Sequence, residues 1–319
     1  MAFGVPRSAF GVTAIITSVM LYLGNTAPVR AEETSNVERR TSNAAGWHFT
    51  VGQSLIYTYE CTQQVSWASA GDQLSYITLL RFRFVLSPTL VTDERAELTA
   101  TFLSVRAEHR GPGSLRVVDS SHPPEERGSE DLMLGHLLAL ENAVFSLSCD
   151  PRTGAVSAVQ GGDEVARRIA ASTRSDFKGA ANPDEPSPLL KPAEKAYASE
   201  NLSRLWSQLL ATAGDGPRRV DLGPPLAITV EQTWKAHQWT CALPTGALPS
   251  KVTLATEPAP VEAALSALSG KGAVTPAAVP RDNQGELRYC LRFTALTQPV
   301  EQKHVLTWRL RREGGSDPR

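Results

Sequence analysis

The side chains best suited to chemistry are four cysteines and six histidines. The histidines are His48, His109, His122, His136, His237 and His304, and none falls in HExxH, HxH or another spacing that brings imidazoles onto one metal ion. A nucleophilic serine needs a base beside it, and no GxSxG turn occurs. Ser175-Asp176-Phe177-Lys178 is an SxxK tetrad, in which a lysine one helical turn away could help activate the serine. It stands where a helical pattern runs into proline-rich chain, and neither SDN nor KTG follows it. Gly270-Lys271-Gly272 lacks the upstream glycine and the Ser/Thr of a phosphate-binding loop. Glu32-Glu33 and Glu125-Glu126 lie in polar stretches and read as solvated surface. No catalytic residue, metal ligand or cofactor is therefore expected, and the chain reads as a non-enzyme. A hydrolase whose residues converge only in space is the alternative.

The cysteines take their meaning from the first residues. Arg7 precedes an uncharged, mostly apolar run from Ala9 to Leu23, and Gly24, Asn25 and Pro28 then break any helix. Val29-Arg30-Ala31 offers small side chains at the two positions a signal peptidase reads, so residues 1–31 are expected to be a signal peptide and the mature protein periplasmic or extracellular. The apolar run, about 15 residues at 1.5 Å each, reaches only ~22 Å against a ~30 Å hydrocarbon core. No transmembrane anchor is expected to remain. In an oxidising compartment the even set Cys61, Cys149, Cys241 and Cys290 reads as disulfides, with free buried thiols as the alternative and no CxxC or CxxH spacing to suggest zinc. Strand phase puts Cys61 on a face with Tyr57 and Tyr59, and Cys149 with Phe145 and Leu147. That favours a Cys61–Cys149 bridge and leaves Cys241 with Cys290.

The elements that position these residues show mainly a period of two. After a polar lead at 32–46, Leu55, Tyr57 and Tyr59 alternate with polar neighbours, and Tyr76, Thr78, Leu80, Phe82, Phe84 and Leu86 form one face of a second strand. Ala96, Leu98, Ala100 and Phe102 begin a third, whose apolar phase then slips to Leu103, Val105 and Ala107; a bulge near Phe102 produces such a slip. A hairpin follows around Asp150-Pro151-Arg152-Thr153-Gly154, where proline presets one torsion and glycine accepts positive φ. Helices are expected at Asp131–Leu140, Asp163–Ala171 and Ala193–Thr212, the last with Trp206 as a core anchor. Residues 179–192 read as a proline-rich internal loop. Strands resume over Ile228–Leu243, Val252–Thr256, Glu286–Thr297 and Gln302–Arg311, while the Ala/Pro tract at 258–280 holds at most a short helix at Val261–Leu268. The fold class is α+β, mainly β: a large twisted antiparallel sheet or half-open barrel with a few helices, one domain over 47–312 and a polar tail at 313–319.

Composition narrows the function. With 32 Lys+Arg against 33 Asp+Glu, the 319-residue chain carries a formal charge of -1, so no basic field draws nucleic acid. Gly 23 and Pro 22 are near ordinary usage, which excludes disorder of the whole chain.

In layout, residues 47–312 resemble a family of exported bacterial domains of unknown function. The resemblance lies in a signal peptide, Val51-Gly52-Gln53 leading into an aromatic strand, two long amphipathic strands, and Phe145 to Val159 with its Asp150-Pro151…Gly154 turn. Where such domains have Gly-Asp-x-Trp, this chain has Glu231-Gln232-Thr233-Trp234. In architecture it is also similar to periplasmic lipoprotein carriers, whose half-open barrel encloses acyl chains. The resemblance implies no catalytic residues. The lack of catalytic motifs and the long amphipathic strands point to a protein that binds an apolar small molecule or a protein partner of the cell envelope, on a face where Tyr57, Tyr59, Phe82 and Phe84 make either core or pocket.

Overall fold

The computed structural model describes residues 49–69, 72–129, 131, 134–152, 154–176, 190–210, 216–221, 227–235, 238–242, 263–274, 282–295 and 298–313. The expected signal peptide and polar lead, the strand at Val252–Thr256, Phe177 and Lys178 of the SxxK tetrad, and the side chains of Ser175, Cys241 and Cys290 lie outside what is described.

Alternation dictates the first three strands. β1 (Leu55–Ser69), β2 (Asp72–Val91) and β3 (Ala96–Gly111) pair antiparallel, with Tyr57 opposite Phe84, Tyr59 opposite Phe82 and Cys61 opposite Leu80. One face of each strand is buried and the other is wet. The phase slip in β3 is a bulge: Phe82 faces Val105 but Phe84 faces Phe102, leaving Leu103 as the extra residue. β4 (Ser114–Asp119) folds back on β3, and β5 (Val144–Cys149) and β6 (Val156–Gln160) form the expected hairpin. In its turn Asp150 Oδ1 accepts from the Arg152 amide at 2.7 Å and Gly154 has φ 73°.

At the other end of the chain, β10 (Ala263–Val274), β11 (Asp282–Ala295) and β12 (Gln298–Arg312) extend the same sheet, because β12 pairs with β1. The nine-stranded sheet runs β10-β11-β12-β1-β2-β3-β5-β6, with β4 beside β3, and curves into a half-barrel. β7 (Gly216–Asp221), β8 (Ala227–Lys235) and β9 (Gln238–Ala242) make a separate three-stranded sheet. The fold is mainly β with few helices, as the patterning predicts.

Several local expectations are corrected. The tract at Val261–Leu268 is strand, not helix, from Ala263 onward; Leu265 pairs with Leu291 and Leu268 with Tyr289, so pairing overrides alanine's helical preference. Ile228–Leu243 is a hairpin rather than one strand. The stretch read as a loop to Pro192 is already helical at Leu190, and Pro192 sits in a first turn, where its missing N–H is not needed. The single helix expected over Ala193–Thr212 is two, α2 (Leu190–Ala196) and α3 (Ser199–Leu210), following α1 (Gly162–Asp176). The region expected as a helix from Asp131 forms only a short 3-10 helix over Gly135–Leu140. Glu313 is not free tail: its carboxylate accepts from Thr58 at 2.7 Å and from Arg83 at 2.8 and 2.9 Å.

The break between α2 and α3 has a visible cause. The start of α1 comes so close that a Cβ on Gly162 would lie 1.9 Å from the Tyr197 carbonyl oxygen. Instead the Asn201 and Leu202 amides donate to Ala198 O, and the Asn201 side chain donates to Lys195 O. α3 then runs along β6, where Ser199 Oγ accepts from the Val159 amide and Ser207 Oγ from the Val156 amide, covering donors of an edge strand. Trp206 is a core anchor, 1% exposed.

Candidate functional site

The inner face of the half-barrel is apolar along β1, β2 and β3, and its cover changes along the strands. Leu55 to Cys61, Leu80 to Leu86 and Ala96 to Val105 bury their inward side chains. Trp206 closes that region, its indole edge-on to Phe84 (centroids 5.2 Å apart) and Phe102 (6.1 Å) and tilted to Phe145. Tyr57, Tyr59, Phe82 and Phe84 are therefore core here. Further along, Gln63, Val65, Trp67, Tyr76 and Thr78 are half-buried, and Leu74 is 44% exposed. Register places Val65 beside Tyr76 and Trp67 beside Leu74, so these residues form one continuous aromatic and aliphatic strip.

Within the closed region, against Trp206, lies a cavity of about 20 Å³, room for one water-sized group. Tyr59, Cys61, Leu80 and Phe82 bound it on the sheet side, and Tyr197, Leu202, Trp206 and Leu209 on the helix side. No Lys, Arg, Asp or Glu lines it. The Cys61 thiol, pushed up to about 12 by burial despite its hydrogen bond with Tyr59, stays protonated and unreactive. The Tyr197 hydroxyl is buried without a hydrogen-bond partner, and burial raises its pKa far beyond its ordinary range.

The expected Cys61–Cys149 bridge is not formed; both thiols are free and buried. Cys61 stands opposite Leu80 and Leu80 opposite Ala107, whereas Cys149 stands opposite Ala96 at the far end of β3. About eleven residues at ~3.3 Å each separate the two levels by roughly 35 Å, well beyond the ~7 Å between Cα atoms that a bridge tolerates. Burial also pushes the Cys149 thiol up to about 12, with Asp150 and Glu97 adding to the effect. The Cys241–Cys290 pair lies outside the described side chains.

Two histidines flank the strip. Thr78 Oγ1 lies 3.0 Å from His109 Nδ1, a pairing between registered residues of β2 and β3, and Tyr76 stacks on the imidazole at 5.9 Å. Burial, with Arg116 nearby, holds His109 below its ordinary pKa. His304 on β12, opposite Val65, is buried and lowered to about 4 by desolvation. No group of His, Cys, Asp and Glu among the described residues could hold a metal ion. No helix among them is long and apolar enough to cross a membrane.

The His304 shift makes stability depend on pH. Its native pKa near 4 lies below the unfolded value near 6.5, so its contribution is complete above about pH 6.5 and is lost as pH falls toward 4. The difference is worth about 3 kcal/mol. Unfolding free energies from urea titrations across that window are expected to fall for the natural protein and to fall less for His304→Gln by that amount; parallel profiles would refute the assignment.

No family model and no curated protein matches the chain. The solved structures similar at a distance include lipovitellin, DynF and an outer membrane channel. Lipovitellin, solved for its lipid–protein interactions, is 10% identical over 85% of this chain and 26% of its own, with a TM-score of 0.39. DynF of the dynemicin biosynthesis pathway of Micromonospora chersina is 11% identical over 92% and 94%, with a TM-score of 0.20. The COG4313 outer membrane channel of Pseudomonas putida F1 is 7% identical over 85% and 98%, with a TM-score of 0.22. The chain spans about a quarter of the lipovitellin chain it matches. The comparisons bring no family of exported domains to this chain.

Proposed function

We propose that this is an exported, non-catalytic protein, periplasmic or extracellular, that binds an apolar small molecule on the inner face of its half-barrel. The observation that supports this reading is the strip of Val65, Trp67, Leu74 and Tyr76, which continues the core face beyond the helices and remains partly exposed to water. Contiguous exposed apolar surface is a feature of ligand and partner sites. The near-neutral charge and the uncharged cavity wall favour an uncharged ligand over a nucleic acid or an anionic surface.

Diphenylhexatriene, a hydrocarbon that fluoresces only out of water, tests this directly. Delipidated protein is expected to bind it saturably, and Leu74→Glu, at an exposed position, to weaken binding by about 1 kcal/mol, or roughly fivefold. Absence of saturable fluorescence would end the small-molecule reading and leave a protein partner of the envelope.

A further inference from the structure

The inner face of the sheet is banded. Cys61, Leu80 and Ala107 are buried core, and two residues further along the strands Gln63 stands opposite Thr78 and Thr78 opposite His109. The next inward positions return to Val65 and Tyr76 of the exposed strip. An amide, a hydroxyl and an imidazole thus form a row across three strands, between two apolar bands. Gln63 and Thr78 are half-buried, and the Gln63 amide makes no hydrogen bond among the described residues. Thr78 Oγ1 lies 3.0 Å from His109 Nδ1. His109 is neutral at pH 7, so one group of that pair donates and the other accepts; either way Thr78 keeps capacity for a second bond. A few convergent polar groups beside an apolar surface fix the orientation of a bound molecule.

We infer that the strip binds an apolar molecule ending in a hydroxyl, the hydroxyl seated on Gln63 and Thr78 and the chain running over Val65, Tyr76, Trp67 and Leu74. This rests on the apolar-binding reading above and adds the ligand's chemical class and its orientation. Cross-strand register places the Gln63 and Thr78 Cβ atoms about 5 Å apart, so one oxygen can reach both side chains. A hydroxyl donates and accepts, and therefore serves the amide and Thr78 whichever way the proton between Thr78 and His109 points. An ether, ketone or ester only accepts. The row offers a carboxylate no free cation, because Arg116, opposite His109, is engaged by Asp131 at 3.2 Å, and a desolvated charge without a partner is costly. From Gln63 to Trp67 the strand gives the chain about 13 Å of face. Gly111 widens that face: a Cβ there would lie 3.0 Å from the Tyr76 ring, which takes up the space over β3 instead.

Displacement of diphenylhexatriene by three probes of similar chain length tests the inference: 1-decanol, decyl methyl ether, and decanoate at about pH 8, where it is ionised. The natural protein is expected to bind decanol about fivefold tighter than the ether, the worth of one hydrogen bond, and about tenfold tighter than decanoate. Gln63→Met and Thr78→Val keep the approximate shape of each side chain and remove its hydrogen bonding. Each is expected to weaken decanol about fivefold without weakening the ether or diphenylhexatriene, and Thr78→Ser to retain the natural affinity for decanol. Decanol bound no tighter than the ether would overturn the inference. So would decanoate bound as tightly as decanol, or a full preference for decanol over the ether in both Gln63→Met and Thr78→Val. Saturable diphenylhexatriene binding that persists in those cases leaves the broader reading standing, whereas its absence from the natural protein removes both.

Discussion

Trp206→Ala is expected to destabilise the protein by about 3–5 kcal/mol. The indole is 1% exposed and meets Phe84, Phe102 and Phe145 from three strands, so its removal deprives all three rings of a partner. The Ser199 and Ser207 hydroxyls tie α3 to the backbone of β6, which limits how far α3 can sink into the void. Residual void is what makes such truncations expensive. Urea denaturation followed by far-ultraviolet circular dichroism measures the loss without relying on tryptophan emission. The same substitution enlarges an apolar cavity, so the folded fraction is expected to bind diphenylhexatriene more tightly than the natural protein. A loss below 1 kcal/mol would mean that α3 collapses freely onto the sheet, and the indole would then not be the closure of this face.

Gly162→Ala carries the second large effect, and there two forces oppose each other. Alanine in place of glycine in a helix gains up to about 1 kcal/mol. Here the new methyl would lie 1.9 Å from the Tyr197 carbonyl oxygen and 2.9 Å from Leu202 Cδ1. Backbone cannot yield as a flexible side-chain end can, and overpacking of this kind costs about 3 kcal/mol. The clash wins, and a net loss of about 2 kcal/mol in urea unfolding is expected. Gly113→Ala, where a Cβ meets nothing within 4 Å, tests the cost of positive φ alone. Unchanged stability in Gly162→Ala would show that α1 and the α2–α3 turn are not held at this distance.

What could be read from sequence and what could not divide along a physical line. β1, β2 and β3 were legible because one wet face and one buried face impose a period of two on Leu55–Cys61 and Tyr76–Leu86. The Asp150–Gly154 turn was legible because its chemistry is local. β10 was not: Val261 to Leu268 spaces its apolar residues as a helix would, and only the partnership with β11 makes it strand. Strand phase placed Cys61 and Cys149 on one face, correctly, yet phase says nothing of position along the strand, and register separates them. The cavity escaped notice for the same reason. Tyr197 falls inside what reads as a single helix over Ala193–Thr212, and a hydroxyl's lack of a partner is a property of everything around it rather than of its neighbours in the chain.

The junction of β1 with β12 also has consequences for biosynthesis. Residue 61 finds its neighbour at residue 308, so one flank of β1 stays bare until β12 has been synthesised. Hairpins β1–β2 and β2–β3 can assemble early, but the half-built sheet ends in a naked row of amides and carbonyls that invites pairing with another nascent chain. Any shortened product lacking β12 would present that row permanently, and would be a substrate for holdase chaperones and quality-control proteases rather than a smaller working version of the protein.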